Sequence, residues 1–514
     1  MVQKKLYCCN VQKRLCSLLQ KCTICTKENR LKAKLIIKDE VNVKIEGLEL
    51  GTRTALVRKY KFDVPGARYQ PAVRLGRWDG KVPFFNLGGS TYINILPEIL
   101  PYLDEQGYDL EVEDLRDYRT NFDFTEVNEQ SYSHKVWPKN HPKVGEPIEL
   151  RDYQVELING FLKNPQCVQE VATGAGKTIM TAALADKVGE YGRTIIIVPN
   201  KSLVTQTEED FVNLDLDVGV YYGDRKEFGR LHTICTWQSL NNMLKQTRNA
   251  EADITIGEFL EGVVGVIVDE VHGAKADALK TLLSGPMGRI PIRWGLTGTI
   301  PKEQFEFMSI FCNLGPVIGQ LSARELQEAG HLAMCHVNVV QLVDHTEYTN
   351  YQSELKYLLE NSDRLDYISE MISKITDTGN TLILVDRINS GKELHSRLPG
   401  SVFVSGATKA LERKEHYDEV AEAEGKIIIA TYGVASVGIN IPRIFNLVLI
   451  EPGKSFVRVI QSIGRGIRKA QDKDFVQIWD ITSTCKFAKR HLTKRKAFYR
   501  DANYPFAVEK TEWQ

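Results

Sequence analysis

The chain has 514 residues, 43% hydrophobic and 26% charged, and its 66 Lys plus Arg balance 66 Asp plus Glu. That composition is globular and suits roughly three or four domains. No apolar run approaches the ~18 residues of a membrane span, the few cysteines argue against a disulfide scaffold, and no secretory leader is expected. The expectation is a cytoplasmic monomer with no membrane partner.

Zero net charge does not exclude a nucleic-acid partner, because the charges are segregated. Residues 53–81 hold eight Lys or Arg against Asp63 and Asp79, and residues 104–129 hold ten acids against two arginines. Residues 486–500 hold seven basic side chains and no acid.

In chain order, residues 1–34 read as a basic, Cys-rich leader, poorly ordered. Cys8, Cys9, Cys16, Cys22 and Cys25 lack the paired two-residue hooks of a structural zinc site. Residues 35–47 alternate like a strand and 93–107 have helical spacing, so 35–127 reads as a small α/β DNA-binding domain. Within it Arg58, Arg74, Arg77, Trp78 and Lys81 interleave cations with an aromatic face, the pairing that neutralises phosphates and stacks on bases. Trp78, Phe84 and Phe85 could equally form the domain's own core, and Phe84 and Phe85 are expected to be buried. The acidic run 104–129 is read as a solvated helix and loop surface. Residues 128–148, rich in proline and without apolar period, read as a linker.

From residue 149 onward short apolar runs alternate with helical stretches, which implies βα units and parallel sheets. Two such blocks are expected, 149–318 and 319–482, then a basic extension over 483–514.

Three motifs carry chemistry. In Ala172-Thr173-Gly174-Ala175-Gly176-Lys177-Thr178 the glycines let backbone N–H groups wrap a phosphate at a helix N-terminus. Lys177 places a cation on the β- and γ-phosphates of ATP, and the Thr178 hydroxyl can ligate Mg²⁺. The strict pattern asks for glycine at 171, where this chain has Val171. The run 265–268 then delivers Asp269 and Glu270 at the end of an apolar strand, Asp269 for hydrated Mg²⁺ and Glu270 to polarise the attacking water. In Gln461-Ser462-Ile463-Gly464-Arg465-Gly466-Ile467-Arg468, two guanidiniums share one side and suit charge developing on the γ-phosphate. The phosphate loop and these arginines fall on different blocks, so ATP is expected between them.

Arg151-Asp152-Tyr153-Gln154, the loop 172–178, Asp269-Glu270-Val271-His272, Leu296-Thr297-Gly298-Thr299, residues 431–438 and residues 461–468 together resemble the superfamily 2 helicases in order and spacing. The resemblance covers about residues 149–482. Arg77-Trp78-Asp79-Gly80, Thr236-Trp237-Gln238 and Thr431-Tyr432-Gly433-Val434 make it look most like the recombination helicases of T-even-type phages. Repair helicases and restriction-enzyme motor subunits share much of this core.

The resemblance implies two RecA-like domains in tandem behind the small α/β domain, with ATP and Mg²⁺ as cofactors. It places Gln154 on the adenine, with Arg151 and Tyr153 shaping that pocket, and Gly438 beside the γ-phosphate. Arg465 and Arg468 become arginine fingers. His272, Thr297, Thr299 and Gln461 couple hydrolysis to movement. Pro199, Gln206, Thr236, Trp237, Gln238 and Thr431 line a nucleic-acid backbone. Many relatives carry an acid where Asn440 stands, so Asn440 is left out of the catalytic set. The implied function is ATP-dependent unwinding or branch migration of branched DNA in recombination, repair and replication. The partners are duplex, single-stranded or RNA–DNA hybrid nucleic acid, with accessory proteins unidentified. An RNA helicase, a restriction-type translocase and a nucleotide-switched clamp remain alternatives, though the intact Glu270 argues against a clamp.

Overall fold

Apolar alternation near the start of the chain builds the first sheet. In the computed structural model, β1 (Leu31–Ile37) buries Ala33, Leu35 and Ile37 on one face. It pairs antiparallel with β2 (Asn42–Glu46). The hydrogen bonds that Asp39 Oδ1 accepts from the N–H groups of Val41 and Asn42 hold the connecting turn. β3 (Lys61–Asp63) and β4 (Lys81–Pro83) form a separate two-stranded ribbon. β5 (Ser90–Tyr92) and β6 (Tyr108–Asp114) complete a sheet of order β5-β2-β1-β6. The structure describes residues 30–116, 122–138, 143–271 and 276–408. From 412 to 513 it describes all but 413–414, 418, 421–422, 436–440, 442, 456–458, 460–461, 465, 468–469 and 471. The cysteines of the leader lie outside the described residues.

Two boundaries differ from expectation. Residues 31–34, assigned to the leader, are the first half of β1, and Arg30 pairs with Asp104 at 2.9 Å. The acidic run is not all solvated loop. Its residues 108–114 are β6, parallel to β1, because alternate acids point outward while Tyr108 is buried.

The chain divides into two compact units, Met1–Glu170 with Thr178–Gln320 and Val171–Lys177 with Leu321–Gln514. Within the first, the small N-terminal sheet is not a separate body. Its core of Leu35, Ile45, Phe84, Phe85, Leu96 and Ile99 is completed by Phe305 and Cys312 of the helix Gln304–Leu314. The Phe84 and Phe305 rings lie 6.0 Å apart. Polar bonds lock the same junction. Glu40 N–H donates to Gly288 O at 3.0 Å, Asn42 Nδ2 to Ser284 O at 2.7 Å and Asn94 Nδ2 to Phe311 O at 3.1 Å.

The expected linker is likewise docked. Tyr132 is buried, its hydroxyl donates to Asp186 Oδ2 at 2.9 Å, and Lys135 Nζ bonds Leu214 O and Asp215. Prolines and polar residues here mark a wrapping segment, because its few apolar side chains reach a neighbouring surface instead of each other. Deleting residues 30–143 should therefore strip the cover from Phe305 and Cys312. We expect a lower melting temperature and binding of a hydrophobic dye; a truncated protein that melts as the full chain does would refute the shared core.

The first RecA-type sheet contains β7 (Gln166–Val171), β8 (Arg193–Val198), β9 (Val218–Tyr222), β10 (Arg225–Lys226), β11 (His232–Thr236), β12 (Val263–Val268), β13 (Ile292–Thr297) and β14 (Val317–Leu321). Their order is β10-β9-β11-β8-β12-β13-β7-β14. The strands β9, β11, β8, β12, β13 and β7 run parallel. Continuous runs such as Ile195–Val198 are buried on both faces, as a sheet covered by helices on both sides demands.

The second unit holds β15 (Met334–Leu342), β16 (Thr381–Val385), β17 (Val402–Val404), β18 (Ile427–Thr431), β19 (Asn446–Ile450), β20 (Phe475–Ser483) and β21 (Phe506–Thr511). This sheet is parallel throughout, in the order β17-β18-β16-β19-β20-β15-β21. The expected C-terminal extension is an integral part of it. The helix Lys486–Asp501 packs beneath β20, and β21 adds the edge strand beside β15.

Beneath that helix lies a buried charged network. Arg364 contacts Asp344 and Glu451, and Arg495 clamps Asp480, all at or below 5% exposure. Three carboxylates face two guanidiniums, and burial pushes Glu451 up to about 7 despite Arg364 and Arg495. In the unfolded chain Glu451 ionises near ~4.3. Between those values the folded state holds the extra proton, so stability falls as pH rises from about 4.3 to about 7 and the penalty persists above. Glu451→Gln should flatten that part of the melting-temperature–pH curve and raise the melting temperature at pH 8; an unaltered curve would show that another group titrates. No helix among the described residues is long and apolar enough to cross a membrane.

Candidate functional site

β7, β13 and β12 are parallel neighbours, so their C-terminal ends share one sheet edge. The loop after β7, the Thr297–Thr299 turn and the Asp269-Glu270 pair all leave from that edge, the usual ligand side of an α/β sheet.

The phosphate loop has its expected backbone. Gly174 and Gly176 have φ of 93° and 80°, a region open to glycine at little cost. Ala175 N–H closes onto Ala172 O at 3.3 Å, and the helix Lys177–Gly189 follows directly. Lys177 is buried and its Nζ donates to Val171 O at 3.3 Å. Val171 stands where the strict pattern wants glycine because here the position is the last residue of β7. It is fully buried and needs no left-handed backbone.

Asp269 is buried, its N–H donates to Ile197 O at 2.9 Å, and its Oδ1 accepts from Glu270 N–H at 2.8 Å. Glu270 has φ of 49°, a strained conformation for a non-glycine residue that turns its side chain off the strand line. Its Oε2 accepts from Gly298 N–H at 3.3 Å. The Thr297 hydroxyl donates to Thr299 O at 2.9 Å, so the turn carrying Gly298 is self-braced. The expected water-positioning acid and the expected coupling turn are thus in direct contact.

Gln154 is buried, and its Oε1 accepts from Arg151 N–H at 3.0 Å across the start of the helix Asp152–Leu162. Arg151 Nη1 donates to the Tyr153 hydroxyl at 2.7 Å. Thr173 is half-buried in the loop. His272, Gly438, Gln461, Arg465 and Arg468 lie outside the described residues, as does Asn440.

The expected nucleic-acid residues separate into two groups. Arg58, Arg74, Arg77 and Gln238 are exposed, and Pro199, Gln206 and Lys81 are half-buried. Lys81 pairs with Asp63 at 3.4 Å. Trp78 is half-buried and its Nε1 donates to Lys81 O at 2.8 Å, which braces the β3–β4 ribbon. Trp237 is a correction. It is 4% exposed within the core formed by Cys235, Leu240, Phe259 and Val268, so it offers no face to a base. Thr236 is buried beside it, and its hydroxyl caps the helix Trp237–Arg248 through Ser239 N–H. Thr431, at the end of β18, is also buried.

Sequence reasoning missed Glu170. Its Oε1 accepts from Ile300 N–H at 3.0 Å and its Oε2 from Gln320 Nε2 at 2.9 Å, holding the turn after β13 to the end of the strand that leads into the phosphate loop. A carboxylate one residue before the end of an apolar strand was the available signal. It also missed Asp210, which burial pushes up to about 6 while hydrogen bonds from Thr178 and Asn213 pull it down.

A glycine-turned phosphate loop, a buried Asp269 with a half-buried Glu270 on the same sheet edge and a second parallel sheet of like design define a two-sheet phosphate-loop ATPase. The chain matches the family "Type III restriction enzyme, res subunit" over residues 147–302 and the family "Helicase conserved C-terminal domain" over 363–470. It is 23% identical over 461 residues to "ATP-dependent DNA helicase uvsW" of Enterobacteria phage T4, covering 85% of this chain and 88% of that protein. It is 22% identical over 373 residues to "DNA 3'-5' helicase XPB" of Mycobacterium tuberculosis, covering 70% of this chain and 65% of that protein. A fragment of a putative HsdR subunit of a type I restriction enzyme from Vibrio vulnificus YJ016 shares the fold at TM-score 0.54 and 16% identity, covering 92% of this chain and 85% of that one. The chain belongs to the superfamily 2 helicases and is an ATP-hydrolysing enzyme.

Proposed function

We propose that this helicase is a DNA motor that acts on branched DNA, unwinding forks, migrating junctions and dissociating RNA–DNA hybrids in recombination, repair and replication. The observation that carries the reading is the contact between Glu270 and Gly298 on the edge that also bears the phosphate loop. It ties the group that activates water to the turn expected to transmit hydrolysis. The likeness to the T4 helicase over most of both chains supports DNA as the track.

Lys177 and the N–H groups of residues 173–177 bind the ATP phosphates. Thr178 and Asp269 offer a hydroxyl and a carboxylate, the hard oxygen donors that Mg²⁺ takes, and Asp210 beside Thr178 adds negative charge. Mg²⁺ would neutralise charge on the β- and γ-phosphates. Glu270 orients the attacking water and accepts its proton, and Gly298 N–H holds the carboxylate in place. Gln154 and Tyr153 select adenine, Arg465 and Arg468 stabilise the transferring phosphoryl group, and Gln238, Pro199 and Gln206 line the strand.

The N-terminal region selects the branch through Arg58, Arg74 and Arg77. ATP turnover measured with forked, linear duplex and single-stranded DNA and with RNA tests the reading. Stimulation greatest on forks is expected, and turnover indifferent to every nucleic acid would overturn it. Arg74→Ala/Arg77→Ala should lower the log–log salt slope of fork binding by about 0.7 to 0.9 per lost contact. An unchanged slope in the folded double variant would remove this domain from the DNA path.

A further inference from the structure

The helix Lys486–Asp501 lies outside every motif assigned above, yet it has the most one-sided charge of the described helices. Its buried side holds Ala488, Leu492, Arg495 and Tyr499. Lys486, Lys489, Arg490, Lys494 and Arg500 are exposed and Lys496 is half-exposed. At 100° per residue the five exposed cations fall within one broad outer stripe. Among the described residues none of these six cations pairs with a carboxylate. The basic row spans about 21 Å, the axial length of about six nucleotide steps.

The stripe is rigidly mounted. Glu354, buried on the helix Tyr351–Glu360, accepts from Phe487 N–H at 3.0 Å and Ala488 N–H at 2.7 Å and so caps the helix N-terminus. Arg495 bonds both Asp480 oxygens, at 2.8 and 2.9 Å, and donates to Gly453 O at 2.8 Å. The Tyr499 hydroxyl reaches Asp480 at 2.7 Å. The turn held through Gly453 presents exposed Lys454 as its next residue. Lys454, Arg495 and Lys494 act with burial, the larger cause, to push His491 down to about 4. A helix held in this way loses little freedom when its outer face engages a polyanion. Phe487 adds an aromatic surface flanked by Lys486 and Arg490, each 5.9 Å from its ring centre.

We propose that the outer face of this helix, extended by Lys454, is a second nucleic-acid track that grips the phosphodiester backbone, separate from the N-terminal basic segment. The proposal rests on the helicase reading, because a nucleic-acid motor is the context that supplies this polyanion. The face carries no base-reading set, so its contribution is sequence-independent and salt-dependent.

The test uses the full chain with Lys489→Ala/Arg490→Ala/Lys494→Ala, and a control that exchanges Lys and Arg at the same positions. Fluorescently labelled duplex and single-stranded DNA of random sequence are titrated across a salt series. The alanine variant should keep the wild-type melting temperature and DNA-free ATPase rate. Its log–log salt slope should fall by about 2 to 3 on at least one probe, and the charge-conserving control should keep the slope. The probe that loses slope identifies the form gripped. An alanine variant that binds both probes with wild-type affinity and slope overturns the track. A wild-type protein that binds neither probe, and whose ATPase no nucleic acid stimulates, overturns the helicase reading instead.

Discussion

Glu270→Gln is expected to bind ATP with near wild-type affinity and to turn over about 10² to 10⁴ times more slowly, the usual contribution of a positioned general base. The amide oxygen of the glutamine can still accept from Gly298 N–H, so the local backbone keeps its arrangement while the proton acceptor is lost. Lys177→Ala should behave differently. It removes the cation that the loop holds against Val171 O, so nucleotide affinity and turnover fall together. Titration with a fluorescent nucleotide beside single-turnover phosphate release separates the two. Wild-type hydrolysis by Glu270→Gln would strip Glu270 of its assigned role.

Asp480→Ala should have the largest effect on stability. The carboxylate is fully buried, receives two hydrogen bonds from Arg495 and one from the Tyr499 hydroxyl, and has no solvent to replace it. Removing it leaves a buried guanidinium and a buried phenol without their acceptor, a loss of about 3 to 5 kcal/mol. For a unit of this size that corresponds to roughly 6 to 20 °C in calorimetric melting temperature. The double variant Asp480→Leu/Arg495→Met should recover much of the loss, since no charge is then stranded. If the single variant melts within a degree of wild type, the network is not closed as described.

The placement of the glycine loop and the acidic pair was legible because both depend on local devices. Gly174 and Gly176 are dictated by a backbone turn, and Asp269 with Glu270 by the end of a buried strand, so each leaves a compact mark in the sequence. The limits of the N-terminal sheet were not legible, because its core is finished by Phe305 and Cys312, which look like ordinary helix residues of the motor. The docked segment around Tyr132 resembled a linker for the same reason. Trp237 sat inside a nucleic-acid motif by resemblance, but its neighbours in space are Cys235, Leu240 and Phe259, and burial overrides motif membership. The basic extension after 482 concealed β21 because an edge strand needs little apolar signal when one neighbour supplies its bonds.

The shared core also sets an order of events on the ribosome. Residues 31–114 complete the small sheet long before Phe305 and Cys312 are made. With about 190 residues still to be added, at about 5 to 20 residues per second, the nascent sheet waits for about 10 to 40 s. Throughout that interval Phe84 and its neighbours face solvent where the helix Gln304–Leu314 will later lie. Slower translation across residues 115–304 would lengthen the exposure, and a bound chaperone or ligand on the half-built face would shorten it. The yield of folded protein should thus depend on codon usage downstream of the first sheet more than within it.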